Sequence, residues 1–189
     1  VDFYVGSSGC IAVNVGVDGG KLVSSLSKYD FSKTEPDWRS SSVDTFAISA
    51  EIMQSGDIAV FGDTKFAYYS KEGELIGAYE YPYQLYDFSS GVSNSAILLQ
   101  REELRKSTLV IINDVNNPIT IELDKTAKGV YTSEKEVYVL TTDELVSYSF
   151  DGVKIDSIDV SDNYTGFVKI NDYVFLNGYN EINRTEFAD

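Results

Sequence analysis

The sequence predicts an all-β fold of repeated four-stranded antiparallel sheets, and three observations lead to this prediction. Short runs rich in Val, Ile, Tyr and Phe alternate with Gly, Asp and Asn turns along the whole chain. One of these stretches returns later in the chain with its turn residues at the same places. No amphipathic pattern of about 10 to 15 residues, which would indicate a helix, interrupts the strands.

The internal repeat is the strongest of the three observations. Residues 57–81, DIAVFGDTKFAYYSKEGELIGAYEY, align without a gap with residues 136–160, EVYVLTTDELVSYSFDGVKIDSIDV. A further copy lies between them, in strand-like runs that span residues 95–123. Four strands about every 40 residues indicate β-propeller blades. A β-sandwich is the alternative, because regularly spaced short strands also suit that fold.

The chain is predicted to form one propeller or partial-propeller domain of four blades and a partial fifth. The fifth unit ends after its third strand, so DFYV (2–5) could close a ring by supplying the missing one. An open array would instead expose its end blades and favour a dimer. The predicted units are roughly 1–40, 43–82, 84–124, 126–162 and 165–189.

Composition excludes several classes of function. The formal charge of −15 disfavours binding to nucleic acid and to anionic membranes. No apolar run of about 18 residues occurs, so we expect no membrane contact by these residues. The sequence has no His, which excludes Ser-His-Asp and Cys-His catalysis and zinc or haem held by His.

Candidate binding residues lie where a blade's second strand turns into its third and where one blade connects to the next. These segments share one end of each blade, and functional residues often lie on loops that a rigid scaffold holds. Carboxylates that converge there could bind Ca²⁺ or act as an acid–base pair on a glycosidic bond. The same residues are common turn formers, and no spacing matches an EF-hand loop, so we predict no catalytic residue, metal or cofactor. The candidates for binding are Asp18, Asp63, Tyr81, Tyr83, Glu102, Glu103, Asp143 and Asn180.

The single tryptophan, Trp38, lies in EPDWRS (35–40), the longest predicted linker. It could stack on a sugar or a peptide, but packing between two blades is the preferred interpretation.

Two segments carry a resemblance to a known family. Residues 136–160, followed by NDYVFLNGYNEINR (171–184), resemble the end of an uncharacterised propeller family from Gram-positive, clostridia-like bacteria. GCIAVNVGVDGGKLVSSLSKYDF (9–31) resembles one of that family's middle blades. The resemblance implies a propeller related to WD40 and quinoprotein-like folds, extracytoplasmic and tethered by an N-terminal membrane segment absent from this chain. It implies no activity and no catalytic residues.

These observations favour a non-enzymatic binding or scaffolding propeller, with a protein, a peptide or a cell-wall glycan as the expected partner. The alternative is a propeller enzyme, with carboxylate-dependent glycoside hydrolysis as the mechanism that the residue types allow. A third hypothesis is a spacer that presents another domain. The sequence leaves open whether the protein is an enzyme.

Overall fold

The computed structural model describes residues 2–6, 9–40 and 43–187, and only the backbone of residue 102. Within these residues, 19 strands form five antiparallel sheets, of which four have four strands and one has three. The predicted series of four-stranded blades with a shorter fifth is thereby confirmed. The only helix in this part of the chain is a 3₁₀ turn at Glu102–Leu104. No helix in it is long and apolar enough to span a membrane.

Blades 1 and 2 belong to one compact unit, unit 1, made of Val1–Pro82 and Asp114–Asn116. In both blades the strands pair in chain order. Blade 1 consists of β1 (Asp2–Val5), β2 (Gly9–Asp18), β3 (Lys21–Asp30) and β4 (Trp38–Arg39). Blade 2 consists of β5 (Ala47–Ile52), β6 (Ile58–Gly62), β7 (Lys65–Tyr69) and β8 (Leu75–Glu80).

Blades 3, 4 and 5 belong to unit 2, made of Tyr83–Asn113 and Asn117–Asp189. Blade 3 consists of β9 (Gln84–Ser90), β10 (Ser95–Arg101), β11 (Lys106–Ile112) and β12 (Ile119–Leu123). Blade 4 consists of β13 (Ala127–Thr132), β14 (Glu136–Thr141), β15 (Glu144–Ser149) and β16 (Lys154–Asp159). Blade 5 consists of β17 (Tyr164–Ile170), β18 (Tyr173–Gly178) and β19 (Ile182–Glu186).

The N-terminal strand does not complete blade 5. Strand β1 pairs with β2, with Tyr4 opposite Ile11, and it forms the first strand of blade 1. The idea that DFYV supplies the fourth strand of the last blade is therefore wrong. The DFYV run is instead the first strand of its own blade.

Burial explains why the strands differ in sequence. All five residues of β6 are buried, because a middle strand is covered on both faces, and its sequence is a continuous apolar run. The outer strands β8 and β16 instead alternate between exposed and half-buried residues. Each strand's pattern therefore reports its place within the blade.

The aligned turns of blades 2 and 4 have the same geometry, as the repeat predicts. Gly73 and Gly152 have φ angles of 88° and 80°, which glycine adopts without steric cost. A Cβ at Gly73 would stand 2.7 Å from the Trp38 ring, and one at Gly152 would stand 2.8 Å from Ile119. In each case the outer strand of the preceding blade packs on the turn. Trp38 also donates its Nε1 proton to the Lys71 carbonyl at 2.9 Å, which confirms that it packs between blades.

Hydrophobic cores lie between neighbouring blades within each unit. In unit 1, residues such as Ile11 and Leu26 of blade 1 pack on Ile58 and Val60 of blade 2. In unit 2, one core lies between blades 3 and 4 and a second lies between blades 4 and 5. Burial of these faces is what holds consecutive blades together.

Candidate functional site

In unit 1, one of the three predicted loop residues, Asp63, holds its turn against the segment that leads into the blade. The Asp63 carboxylate accepts hydrogen bonds from Thr45 Oγ1 at 2.9 Å and from the Phe46 amide at 3.0 Å. The Tyr81 hydroxyl is buried and has no hydrogen-bond partner among the described residues. Burial, followed by the negative charge of Asp63, raises the pKa of Tyr81. Asp18 is exposed at the tip of the β2–β3 hairpin, opposite Lys21.

In unit 2, the predicted loop residues also lie in separate local interactions. The Arg101 guanidinium stands over the Tyr83 ring at 3.9 Å. Asp143 accepts a hydrogen bond from Lys125 Nζ at 2.8 Å, and this contact lowers the pKa of Asp143. Glu103 is exposed in the 3₁₀ turn and Asn180 is exposed in the β18–β19 turn. The side chain of Glu102 lies outside the described residues.

The structure thus brings Asp63 close to Tyr81, and it places Asp143 in an ion pair rather than beside a second free carboxylate. No group of three or more His, Cys, Asp or Glu side chains is placed to hold a metal ion within residues 2–6, 9–40 and 43–187. Among the described residues, the predicted loop residues therefore form local hydrogen bonds and ion pairs, and they do not come together in one binding site.

A groove of about 820 Å³ opens at the other end of blades 4 and 5. We call it the blade 4–5 groove. Its rim is formed by the β13–β14 turn (133–135) and the β17–β18 turn (171–172). Ser147 and Asp156 line its blade 4 side, and Phe187 follows the last strand of blade 5. All of these residues belong to unit 2.

Aromatic side chains form the inner wall of the groove. Tyr138 and Phe187 have ring centroids 5.4 Å apart, and Tyr131 lies 6.5 Å from Tyr138. Tyr138 is only 6% exposed, and burial raises its pKa, as does its hydrogen bond with Glu136. The ammonium group of Lys169 stands 5.0 Å from the Tyr138 ring. Tyr138 is therefore packed, whereas Tyr131 and Phe187 remain half-exposed, and most of the other lining residues are polar.

The charges that line the groove favour a cation. Its carboxylates are Glu134, Glu136, Asp156 and Asp172, and its amines are Lys135 and Lys169. Lys169 donates to the Asn171 carbonyl at 2.6 Å, so this amine already has a hydrogen-bond partner within the protein. Four acidic groups against two basic groups leave the groove negative, as the whole chain is.

Sequence reasoning did not find this groove. The sequence predicts a strand around Tyr138, and the structure places it in β14. A strand prediction does not show which face of the strand the neighbouring blade leaves uncovered. The available signal was the polar pair of Ser147 and Asp156, at strand positions where blade 3 has the apolar pair of Ile111 and Ile119.

Comparison with solved structures defines the fold of these sheets. The chain is similar to BamB from Moraxella catarrhalis, with a TM-score of 0.56 at 11% identity over 93% of this chain and 54% of that one. It is similar to the WD40 domain of Toxoplasma gondii coronin, with a TM-score of 0.59 at 11% identity over 87% and 52%. It is also similar to a streptogramin B lyase, with a TM-score of 0.54 at 12% identity over 97% and 73%.

The fold is a β-propeller. At these identities the likeness shows the fold alone. The chain spans about half the length of the BamB and coronin structures. One of the three similar proteins is named as an enzyme, so the likeness does not decide between binding and catalysis. No protein-family model and no curated protein sequence matches the chain.

Proposed function

We propose that this chain is a non-enzymatic binding propeller whose blade 4–5 groove holds an extended, positively charged segment of a partner protein. The observation that carries the proposal is the groove itself, which is about 820 Å³ in volume and lined by four carboxylates and two lysines. A segment with Lys or Arg side chains would neutralise this negative wall, and the net charge of −15 would steer such a segment toward the protein.

A polypeptide suits the groove better than a glycan does. Sugar rings bind proteins largely by stacking on open aromatic faces, and Tyr138 offers none, since it is buried against Phe187 and Lys169. Most of the remaining lining is charged or polar, and it includes Ser133, Ser147 and Asp156. Such groups accept and donate hydrogen bonds to the backbone and the cationic side chains of a peptide.

Carboxylate-based glycoside hydrolysis gains no support from the predicted loop residues. A general acid in that reaction needs a raised pKa, so that the carboxyl group holds its proton near neutral pH. The pKa of Asp143 is lowered instead, because Lys125 donates to its carboxylate. A binding role therefore agrees better with the electrostatics of this residue.

Fluorescence anisotropy with three probes tests the proposal. The probes are a decapeptide of alternating Lys and Val, a decapeptide of alternating Glu and Val, and a chitin hexasaccharide. We expect only the cationic peptide to bind. The double substitution Glu134→Lys/Asp156→Lys should weaken its binding at least tenfold, because it reverses two charges of the groove wall.

The matched control is Glu103→Lys/Glu181→Lys, which makes the same change in net charge on exposed residues at the other end of unit 2. This variant should bind the cationic peptide nearly as the parent does. Equal weakening in both variants would show that overall charge, rather than the groove, attracts the peptide. Tighter binding of the hexasaccharide would overturn the proposal in favour of a glycan.

We also propose that the protein acts outside the cytoplasm, tethered by a membrane segment beyond these residues. The support is the resemblance of residues 136–184 to a family of membrane-anchored Gram-positive propellers. Protease treatment of intact cells tests this location, with a cytoplasmic enzyme as the control. Digestion of this protein alone would support the proposal, and equal protection of both would contradict it.

A further inference from the structure

At three places in the sequence an aspartate or asparagine is followed directly by glycine: Asp18–Gly19, Asp151–Gly152 and Asn177–Gly178. In such pairs the backbone nitrogen of the glycine can attack the preceding side chain, because no Cβ crowds its approach. We propose that Asp18–Gly19 is a site of spontaneous isomerisation, and that the isoaspartate formed there is a substrate for enzymatic carboxyl methylation. The hydrogen bonds of the three glycine amides distinguish this pair from the other two.

The isomerisation needs only water. The Gly19 nitrogen attacks Asp18 Cγ and forms a new N–Cγ bond, while the amide proton and the carboxyl hydroxyl group leave together as water. One water molecule then hydrolyses the succinimide ring that results. Attack of this water on the former backbone carbonyl carbon leaves the chain running through Cγ, which is isoaspartate, whereas attack on Cγ restores aspartate. Nothing is oxidised or reduced, and isoaspartate has the same mass as aspartate.

The Asp18–Gly19 pair is free to react in this way. It lies at the tip of the β2–β3 hairpin, where Asp18 pairs with Lys21 across the turn of Gly19 and Gly20. Neither the Gly19 amide nor the Asp18 carboxylate has a hydrogen-bond partner among the described residues. A Cβ at Gly19 or Gly20 would meet nothing within 4 Å. The nitrogen can therefore approach Cγ without breaking a contact.

Hydrogen bonds hold the other two pairs. The Gly152 amide donates to the Ser149 carbonyl at 2.9 Å, and the Gly178 amide donates to the Glu181 carbonyl at 2.8 Å. A Cβ at Gly152 would stand 2.8 Å from Ile119, so that turn is also packed against the preceding blade. An amide nitrogen that donates its proton to a carbonyl must lose this bond before it attacks, so these two pairs react only when the turn opens.

The length of the hairpin explains why its tip is free. Strands β2 and β3 have ten residues each, whereas β6 and β7 of blade 2 have five each. The last four residues of β2, Val15 to Asp18, are all exposed, so the hairpin end extends about 13 Å beyond its buried part. The turn itself is formed locally, because Gly19 and Gly20 adopt φ angles of 55° and 80°, as a two-residue hairpin turn requires.

Isomerisation should loosen the hairpin end without unfolding the protein. Isoaspartate lengthens the backbone by one atom, so the turn loses the geometry that joins its two strands. The residues beside the turn, Val17 and Leu22, are 71% and 67% exposed, so little buried apolar surface is lost with them. The carboxylate of isoaspartate is attached to Cα at this exposed tip, where an enzyme can reach it. In the methylation, a carboxylate oxygen takes the methyl group of a sulfonium donor, which leaves as a thioether.

Storage of the folded protein for weeks at neutral pH tests the proposal. Isoaspartate is measured in tryptic peptides by chromatography and by labelling with an isoaspartyl methyltransferase and a radioactive methyl donor. We expect the peptide that ends at Lys21 to gain isoaspartate at least about tenfold faster than residues 136–154, which contain Asp151. In urea, where neither turn is formed, the two rates should differ less than about threefold. The peptide of residues 170–184 should keep its mass in the folded protein, because deamidation of Asn177 would raise it.

Asp18→Glu is the matched control, because it keeps the charge but would have to close a larger ring, which forms far more slowly. It should abolish isoaspartate in the peptide that ends at Lys21 and leave the circular dichroism spectrum unchanged. Equal rates at Asp18 and Asp151 in the folded protein would overturn the proposal, and so would a rate at Asp18 that rises about tenfold in urea. If stored protein is methylated only after digestion, the isomerisation stands and its recognition in the folded protein is overturned.

Discussion

The two blade boundaries in unit 2 have similar apolar cores between their inner strands and differ at their outer strands. Between blades 3 and 4, Leu109 and Ile111 pack on Val137 and Val139, and the outer strand β12 adds Ile119 and Ile121 to the same core. Between blades 4 and 5, Leu140 and Leu145 pack on Val174 and Leu176, but the outer part of the boundary contains the groove. The inner strands thus hold both pairs of blades, and only the outer strands decide whether the boundary is closed.

The hydrogen bonds and ion pairs that link the blades at the two boundaries differ as well. At the boundary of blades 3 and 4, the Val130 amide donates to Asp87 Oδ2 at 2.9 Å, and burial raises the pKa of Asp87. At the boundary of blades 4 and 5, Lys128 Nζ donates to the Tyr164 carbonyl at 2.9 Å and also binds Asp162. A boundary with a smaller apolar contact therefore depends more on one charged side chain, and the following predictions test this difference.

The largest expected effect is the loss of apolar contact at the closed boundary. Leu109 is fully buried there, so Leu109→Ala should lower the free energy of unfolding by about 2–5 kcal/mol. Ile155→Ala, on the groove side of blade 4, should lower it by less than about 0.5 kcal/mol, because that side chain is half exposed. Urea denaturation of both variants measures the contrast. Similar losses would mean that the groove is closed in solution.

The next effect comes from the glycine turns. Gly152→Ala should destabilise the protein by about 1–3 kcal/mol, because its positive φ strains alanine and the new Cβ would collide with Ile119. The control is Gly166→Ala in blade 5, where a Cβ meets nothing within 4 Å. Thermal unfolding should show a clear drop for the first variant and little change for the second. A large drop for Gly166→Ala would contradict the openness of blade 5.

At the open boundary, Lys128 should matter more than its exposed counterparts. Its side chain is 18% exposed and donates to three oxygen atoms, so Lys128→Ala should cost about 1–3 kcal/mol of unfolding free energy. The control Lys106→Ala removes a pair whose Asp124 partner is almost fully exposed, and should cost about 0–1 kcal/mol. Urea denaturation tests the order of the two, and the reverse order would contradict the role given to Lys128.

The smallest effect should be a change in pH dependence at the closed boundary. Lys125 donates to Asp143 and to Glu144 and lowers the pKa of both carboxyl groups. A carboxyl group whose pKa is lower in the folded state stabilises the fold above its unfolded pKa, and this contribution is lost as the pH falls through the folded pKa. Lys125→Met should therefore lower the Tm slightly at pH 7, and this loss should shrink as the pH falls below the ordinary carboxyl pKa of about 4 and the two groups take up protons. Parallel Tm curves at all pH values would show that the ion pair adds nothing.

Much of the fold was accessible from the sequence, because its determinants are local. Ser70 and Ser149, together with Gly73 and Gly152, mark turns that the structure builds with the same hydrogen bonds. The continuous apolar run of β6 predicts a middle strand without knowledge of its neighbours. The partner of DFYV could not be read from local sequence, since so short a strand could pair equally well with β2 or with the last blade.

The candidate site was less predictable. The sequence predicts Asp63 and Asp143 as candidates because carboxylates in turns can converge. In the structure each binds the segment that connects its blade to the preceding one, Asp63 through the Phe46 amide and Asp143 through Lys125. The groove depends on Ser147 and Asp156 lying on the same face of adjacent strands. This arrangement cannot be derived from residue types, because it depends on register and on what the next blade covers.

By itself, the sequence determined that this protein is a series of four-stranded antiparallel blades with glycine turns, an acidic surface and no histidine chemistry. These features follow from alternation, turn residues and composition, which act over a few residues or over the whole chain. Only the tertiary structure decided that blade 4 is covered on one face and partly open on the other. That outcome depends on contacts between residues far apart in sequence, where the polar pair of Ser147 and Asp156 lines a negatively charged groove instead of an apolar core.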